Sequence, residues 1–309
     1  MPTNAQRRVI DPILSTVVQG YRHPEHVGMA LFPRVPVLTS GGKVIEFGKE
    51  AFRLYNTARA PGAAFKRMSL GYEGKPFALL NHGLEAAVPR EHQREAEQVP
   101  GIDLATRYIN AVMRVNSLIL EKEQADLARN AALYDVNHKV TLAGTDQWSD
   151  YANSNPITDI NDAKEAIRAS TGVYPNVMEI SAKVFAVLKE HPDVVDKIKY
   201  TQRGVVTVEL LAALFDMERV VIGQAIAFDD AGASIDIWGK DVVLAYVPSS
   251  LSGAEEPSYG YTYTMEGHPM VEEPYWENQS KSWVYGVGYE RAPVLSGIAS
   301  GFLIVSAVA

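Results

Sequence analysis

No cysteine occurs in this chain, so disulfides and thiolate metal sites are excluded, and the composition is compatible with a reducing cytoplasm. The patterns GxGxxG, GxxxxGK[ST], HExxH and GxSxG are missing too, which removes the usual signatures of dinucleotide, phosphate, zinc-hydrolase and serine-hydrolase sites. The nearest fragment, Gly286-Val287-Gly288, lies in a strand-like run and opens no helix. Apolar runs long enough to cross a membrane are lacking as well. The tail Val294 to Ala309 is interrupted by three serines and two glycines and falls short of the roughly 20 apolar residues a spanning helix needs. It reads as a buried C-terminal strand over Phe302 to Val308. Met1 to Arg8 has no apolar core of the signal-peptide kind, so the protein is expected to stay in the cell.

What is present is an ordinary globular balance, 47% hydrophobic and 21% charged over 309 residues. The net charge of −8 is unevenly placed. Residues 1 to 90 hold twelve Lys and Arg against six Asp and Glu, hence +6, leaving −14 for the remainder. An extended basic front would attract the acidic body of a neighbouring copy.

The strongest periodic signal runs from Asp103 to Tyr134. Leu104, Tyr108, Val112, Val115, Ile119 and Leu127 recur in three- and four-residue steps, Asp103 is a good N-cap, and no Gly or Pro interrupts. The expectation is one helix over 103–134, about 46 Å long at 1.5 Å per residue. Before it, Pro12, Pro24, Pro33 and Pro36 punctuate residues 1 to 40 and favour an extended arm over a packed element. KVIEFGK (43–49) alternates as a strand, FALLNHGLEAAV (77–88) is its candidate return, and a Gly- and Arg-containing tip, Asn56 to Ser69, lies between. A hairpin of that length is marginal alone and is expected to rest on another surface, plausibly another subunit.

After the polar stretch GTDQWSDYANSN (144–155) the style changes to short alternating helices and strands. Helices are expected from Thr158 through Ser170, from the Ser181 cap to Glu190, and over Val208 to Phe215, with strands at 176–180, 220–222 and 242–247. Strands return at SYGYTYTM (258–265) and KSWVYGVGYE (281–290), expected to pack with the terminal strand on the apolar face of the long helix.

Candidate chemistry is sparse. His23 and His26 in HPEH have no further ligand nearby, Asp229-Asp230-Ala231-Gly232 suits a solvated turn, and Glu272-Glu273 suits an acidic surface patch. Trp148, Trp238, Trp276 and Trp283 are scattered, as core or interface residues would be. The reading is no enzyme, with no catalytic residue, cofactor or metal assigned.

The order of parts, together with INDAKEAIRASTGVYPNVMEISAKVFAVLKEHPDVVDKIK (160–199) and the Ala-Pro ending with its apolar tail (291–309), resembles the major capsid proteins of tailed bacteriophages with the Hong Kong 97-type fold, nearest the lambda-like branch. That resemblance implies an α+β fold with an N-terminal arm (1–42), an extended β-hairpin loop (43–90), a peripheral domain (91–155 with 262–309) carrying the spine helix, and an axial domain (156–261). It implies pentamers and hexamers in an icosahedral shell around double-stranded DNA. Decoration, scaffolding and portal proteins are implied partners, and no membrane is. Packaged DNA would be met non-specifically at the inner surface, at most through Arg7 and Arg8. The location implied is the virion, after assembly in the host cytoplasm. Inter-subunit contact is expected from Leu31, Phe32, Phe52, Leu54 and Phe65 by apolar burial, and from Arg53, Arg59, Lys66 and Arg67 against Glu121, Glu123 and Asp126 of the next subunit's spine helix. An encapsulin-like nanocompartment shell is the alternative within the fold; a small α/β enzyme with its site in 156–261 is the alternative outside it.

Overall fold

The computed structural model describes residues 10–21, 23, 26–46, 58, 73–96, 103–198, 206–248 and 258–309. In chain order these form α1 (Pro12–Gln19), α2 (Gly28–Leu31), β1 (Arg34–Val37), β2 (Gly41–Glu46), β3 (Glu73–Ala78), β4 (Leu80–Pro89), α3 (Arg90–Ala96), α4 (Leu104–Ala128) and β5 (Lys139–Thr141). There follow α5 (Pro156–Thr171), β6 (Val177–Ser181), α6 (Ala182–Glu190), α7 (Pro192–Ile198), α8 (Val208–Leu214), β7 (Arg219–Gly223), β8 (Ile226–Phe228), β9 (Ser234–Asp236) and β10 (Val242–Ala245). The last elements are β11 (Gly260–Met265), β12 (Met270–Val271), β13 (Tyr275–Glu277), β14 (Ser282–Leu295) and β15 (Gly301–Val305).

Two sheets organise the chain. The first runs β1-β11-β14-β12, with β4 and β13 also paired to β14, and α4 lies across β4 and β14. The second runs β5-β15-β10-β6-β7. Its strand β10 reads Val-Val-Leu-Ala and is buried at every position because both faces are covered. Val242 and Leu244 face the helices α5 to α8, whereas Val243 and Ala245 face α2 and the C-terminal end of α4. The same alternation puts Met178 and Ile180 of β6 in the helical layer. It turns Glu179, between them, toward α4.

Several expectations are corrected. The long helix spans 25 residues, about 37 Å, and stops at Ala128. Arg129 turns out of the helix to bond Asp241 and the carbonyl of Ile237, and the Tyr134 hydroxyl comes back to donate to the orphaned carbonyl of Ala128 at 2.7 Å. The face that α4 buries is also different. It runs through Ile109, Val112, Met113, Asn116, Leu120, Glu121, Gln124, Ala125 and Ala128, leaving Val115 and Ile119 exposed. An apolar count misses this because three of the buried residues are polar.

The first forty residues are not simply an extended arm. Asp11 caps α1 by accepting from the amides of Ile13 and Leu14, Pro12 occupies the first turn where its missing N–H costs nothing, and Val18 packs against Ile109, Val112 and Met113. Pro36 sits in β1, an edge strand parallel to β11, where a proline is tolerated. The return strand of the hairpin is split: β3 pairs with β2, but β4 leaves to pair ten residues deep with β14. Finally, β15 joins β5 and β10 in the second sheet instead of the layer under the long helix. The hairpin tip, 56–69, lies outside the described residues apart from Ala58.

Candidate functional site

Beneath the C-terminal half of α4 is a buried polar joint that ties the N-terminal segment, the long helix and both sheets together. Glu121 is its centre and is fully enclosed. One carboxylate oxygen accepts from the amide of Val27 at 2.9 Å and from the Trp238 indole at 2.7 Å; the other accepts from the amide of Gly28 at 2.9 Å. Burial pushes the Glu121 carboxyl above its ordinary range, and these three donors oppose the shift. A side chain at 28 would displace Gln124, because a Cβ there would stand 2.2 Å from the Gln124 side-chain oxygen. Gln124 in turn donates to Thr262 at 2.8 Å, and Thr262 donates to the carbonyl of Phe32 at 3.0 Å.

Arg291, from β14, is wholly buried. It donates to the carbonyl of Asn116 at 2.8 Å, reaches both carboxylate oxygens of Glu123 at 3.3 Å, and lies over the Tyr289 ring. On the other side Arg129 pairs with Asp241 at 2.6 Å.

Glu179 is different. It is fully buried and neither carboxyl oxygen has a hydrogen-bond partner. Trp238 and the Glu179 carboxyl both crowd Gly223, where a Cβ would lie 2.3 Å and 2.6 Å from them. Burial pushes the Glu179 pKa well up; Glu121 adds to the rise, Arg129 opposes it, Asp241 adds again, and the nearby backbone amide of Gly223 opposes it. A carboxyl with a folded-state pKa above its unfolded value favours folding at low pH and loses that contribution as pH rises through the folded pKa. Glu179→Gln, which keeps the shape of the protonated carboxyl, is therefore expected to match the parent near pH 5 and to be more stable than it at pH 8. Urea unfolding at the two pH values checks this; an equal difference at both would contradict it.

Next to the joint a groove of about 480 Å³ runs between the start of β4 and α4, lined by Phe77, Leu80, His82, Glu123, Asp126, Leu127 and Pro293 among others. Leu80 is 64% exposed there, and Asp126 is exposed while paired to Lys122. The groove is thus apolar, with an edge of two carboxylates each paired within the chain, Glu123 to Arg291 and Asp126 to Lys122.

The expected contact residues distribute unevenly over these features. Leu31 and Phe32 are completely buried in their own chain's core, against Ala125, Ala128 and Tyr259, so they are not surface contacts. Glu121 is likewise internal and offers no charge to a neighbour. Glu123 and Asp126 do come together, on the groove. Phe52, Arg53, Arg59, Phe65, Lys66 and Arg67 lie outside the described residues. Arg291, Gln124, Glu179 and Trp238 were not anticipated. The one sequence signal for Glu179 is a carboxylate inside the otherwise apolar strand Val-Met-Glu-Ile.

The remaining candidates are structural in appearance. His23 and His26 stack at 4.2 Å, with His26 bonded to Ser117 at 2.6 Å and its pKa lowered to about 4 by burial and by His23. Among the described residues no group of three or more His, Asp and Glu is suited to a metal. Asp229 accepts from the amide of Ala233 and Gly232 has a φ of 79°, making 229–232 the turn between β8 and β9.

Comparison with known proteins gives a consistent result. A family model described as phage major capsid protein E matches residues 116–286. The major capsid protein of Burkholderia phage BcepMu is 38% identical over 302 residues, 96% of each chain. A crystal structure of a phage-related protein from Bordetella bronchiseptica RB50 is 47% identical, covers 98% of this chain and 99% of that one, and superposes with a TM-score of 0.85. The holo-SrpI encapsulin complex from Synechococcus elongatus PCC 7942 matches 99% of this chain and 91% of that one, with a TM-score of 0.52 at 12% identity, a likeness of fold alone.

Proposed function

The chain belongs to the phage major capsid protein family, and from that membership we propose that its copies assemble as pentamers and hexamers into an icosahedral head enclosing double-stranded DNA. It is a structural subunit of the virion with the Hong Kong 97-like α+β fold, and its partners are other capsid subunits. The observation that carries the reading is the full-length match to a phage head protein at 38% identity. The encapsulin likeness is far weaker in sequence, so a cargo shell is the lesser reading. Scaffolding, decoration and portal partners, assembly in the host cytoplasm, non-specific DNA contact near Arg7 and Arg8, and the lack of catalysis belong to the same proposal.

Within that head, the basic extended loop of one subunit lies in the acidic-edged groove of the next. Arg53, Arg59, Lys66 and Arg67 face Glu123 and Asp126, while Phe52 and Phe65 meet Leu80 and the apolar floor. Exposed ion pairs contribute about 0.5–1 kcal/mol each, so they set register and the apolar contacts supply most of the affinity. Reversing Arg59, Lys66 and Arg67 together is expected to lower the yield of fast-sedimenting particles at least about tenfold, because the pairs with both carboxylates are lost and the reversed charges repel them. Particles at the parental yield from that variant would refute the pairing, and a parent chain that forms no particles under any assembly condition would refute the shell.

A further inference from the structure

The outward face of α4 is not acidic, and among the described residues no element of its own chain covers it. Arg107, Ala111, Arg114, Val115, Ile119 and Lys122 lie along it over about 22 Å. Val115 and Ile119 are 45% and 42% exposed, and Arg107 and Arg114 are exposed with no ion pair among the described residues. A neighbour's basic loop is repelled by this stripe, which is one reason it belongs in the groove. A phosphate backbone would match the arginines but leave the two aliphatic side chains unmatched.

The complementary surface is on the same molecule. Strands β8 and β9 form a two-stranded ribbon paired to neither sheet; Phe228 (70% exposed) and Ile226 (47%) share one face, whereas Ala227, opposite Ile235 on the other face, packs on the core and Asp236 is tied to Lys183. Its tip carries Asp229, which closes the turn, and Asp230, which is exposed and has no partner among the described residues. Such a ribbon is marginal by itself and gains from burial against another surface.

We propose that the β8–β9 ribbon of one subunit docks on the outward face of α4 of a neighbouring subunit, Phe228 and Ile226 against Val115 and Ile119 and the acidic tip against Arg107 and Arg114. This rests on the shell reading above and names one contact within it. Because the two patches differ, the contact is heterologous and repeats from copy to copy, as ring or lattice formation requires. Its centre is apolar and its rim charged, the usual division between affinity and orientation.

The chain's lack of cysteine makes the test direct. Four double variants pair a cysteine at Val115 or Ile119 with one at Ile226 or Phe228, and assembled particles are oxidised and run on a non-reducing gel. At least one pair is expected to give a ladder of linked subunits that the single variants lack; four assembling variants with no ladder would overturn the contact. Independently of cysteine tolerance, Arg107→Glu with Arg114→Glu is expected to cut particle yield at least tenfold while leaving the monomer's melting temperature unchanged, with Asp230→Arg recovering at least about threefold. Undiminished yield, or normal yield with loss of packaged nucleic acid, would overturn it in favour of a free or nucleic-acid-facing surface. If the parent chain in the same experiment makes no particles, the shell reading fails and this contact with it.

Discussion

Glu121→Ala is expected to lower the unfolding free energy by about 3–5 kcal/mol, because it strands three donors at once, two buried and one part-buried, each buried one costing about 1–3 kcal/mol when left unsatisfied. The donors are the amides of Val27 and Gly28 and the Trp238 indole. The loss has a direction as well as a size. Val27 and Gly28 belong to the N-terminal segment, so its grip on α4 goes first, and amide exchange over 27–32 should accelerate more than exchange in β10. Glu121→Gln keeps one acceptor oxygen and places an NH2 group against the donors on the other side, so it should fall between parent and alanine. Thermal and urea unfolding with peptide-resolved hydrogen exchange measure both quantities. A loss under about 1 kcal/mol, or exchange that rises uniformly, would show that Glu121 is not what fastens the segment.

Arg291→Ala carries the second large effect, again about 3–5 kcal/mol, the scale for removing one member of a buried ion pair. Arg291 is wholly buried, whereas its partner Glu123 remains partly exposed, so much of the loss comes from the emptied guanidinium site and the stripped carbonyl of Asn116. Arg291→Met fills that volume without charge and should recover a substantial part of the stability. The two variants differ in a second respect. Both free Glu123, on the wall of the groove proposed to receive a neighbour's basic loop, and Arg291→Met does so with less damage to the fold. If that loop does lie there, Arg291→Met particles should form with stronger salt dependence than the parent's, since a charge formerly neutralised within the chain becomes available across the interface. Equal stability of Arg291→Ala and the parent would contradict the buried pair.

Both residues sit where sequence reasoning was least informed. Elements defined by local rules were legible: Ser181 caps α6 as expected, Pro192 ends it, β6, β10 and β11 fall within two residues of the expected strands, and β14 starts one residue later and runs five residues further than expected. The helix α5 was found, although Asn155 and Pro156 open it in place of Thr158. The buried face of α4 was not legible, since its polar residues are buried by partners more than ninety positions away in the chain: Glu121 by Val27, Gly28 and Trp238, Gln124 by Thr262. The destination of β15 was equally hidden, because an apolar terminal strand suits either sheet and only the pairing with β5 and β10 decides. The family and fold were legible from the order of parts, which survives even where element faces were misassigned.

The most direct test of the whole reading is electron microscopy of the protein expressed alone, alongside size-exclusion chromatography. Closed shells or tubes tens of nanometres across, built of fivefold and sixfold clusters, are the expected result. A stable monomer at every concentration, unchanged when a scaffolding protein is supplied, would contradict it.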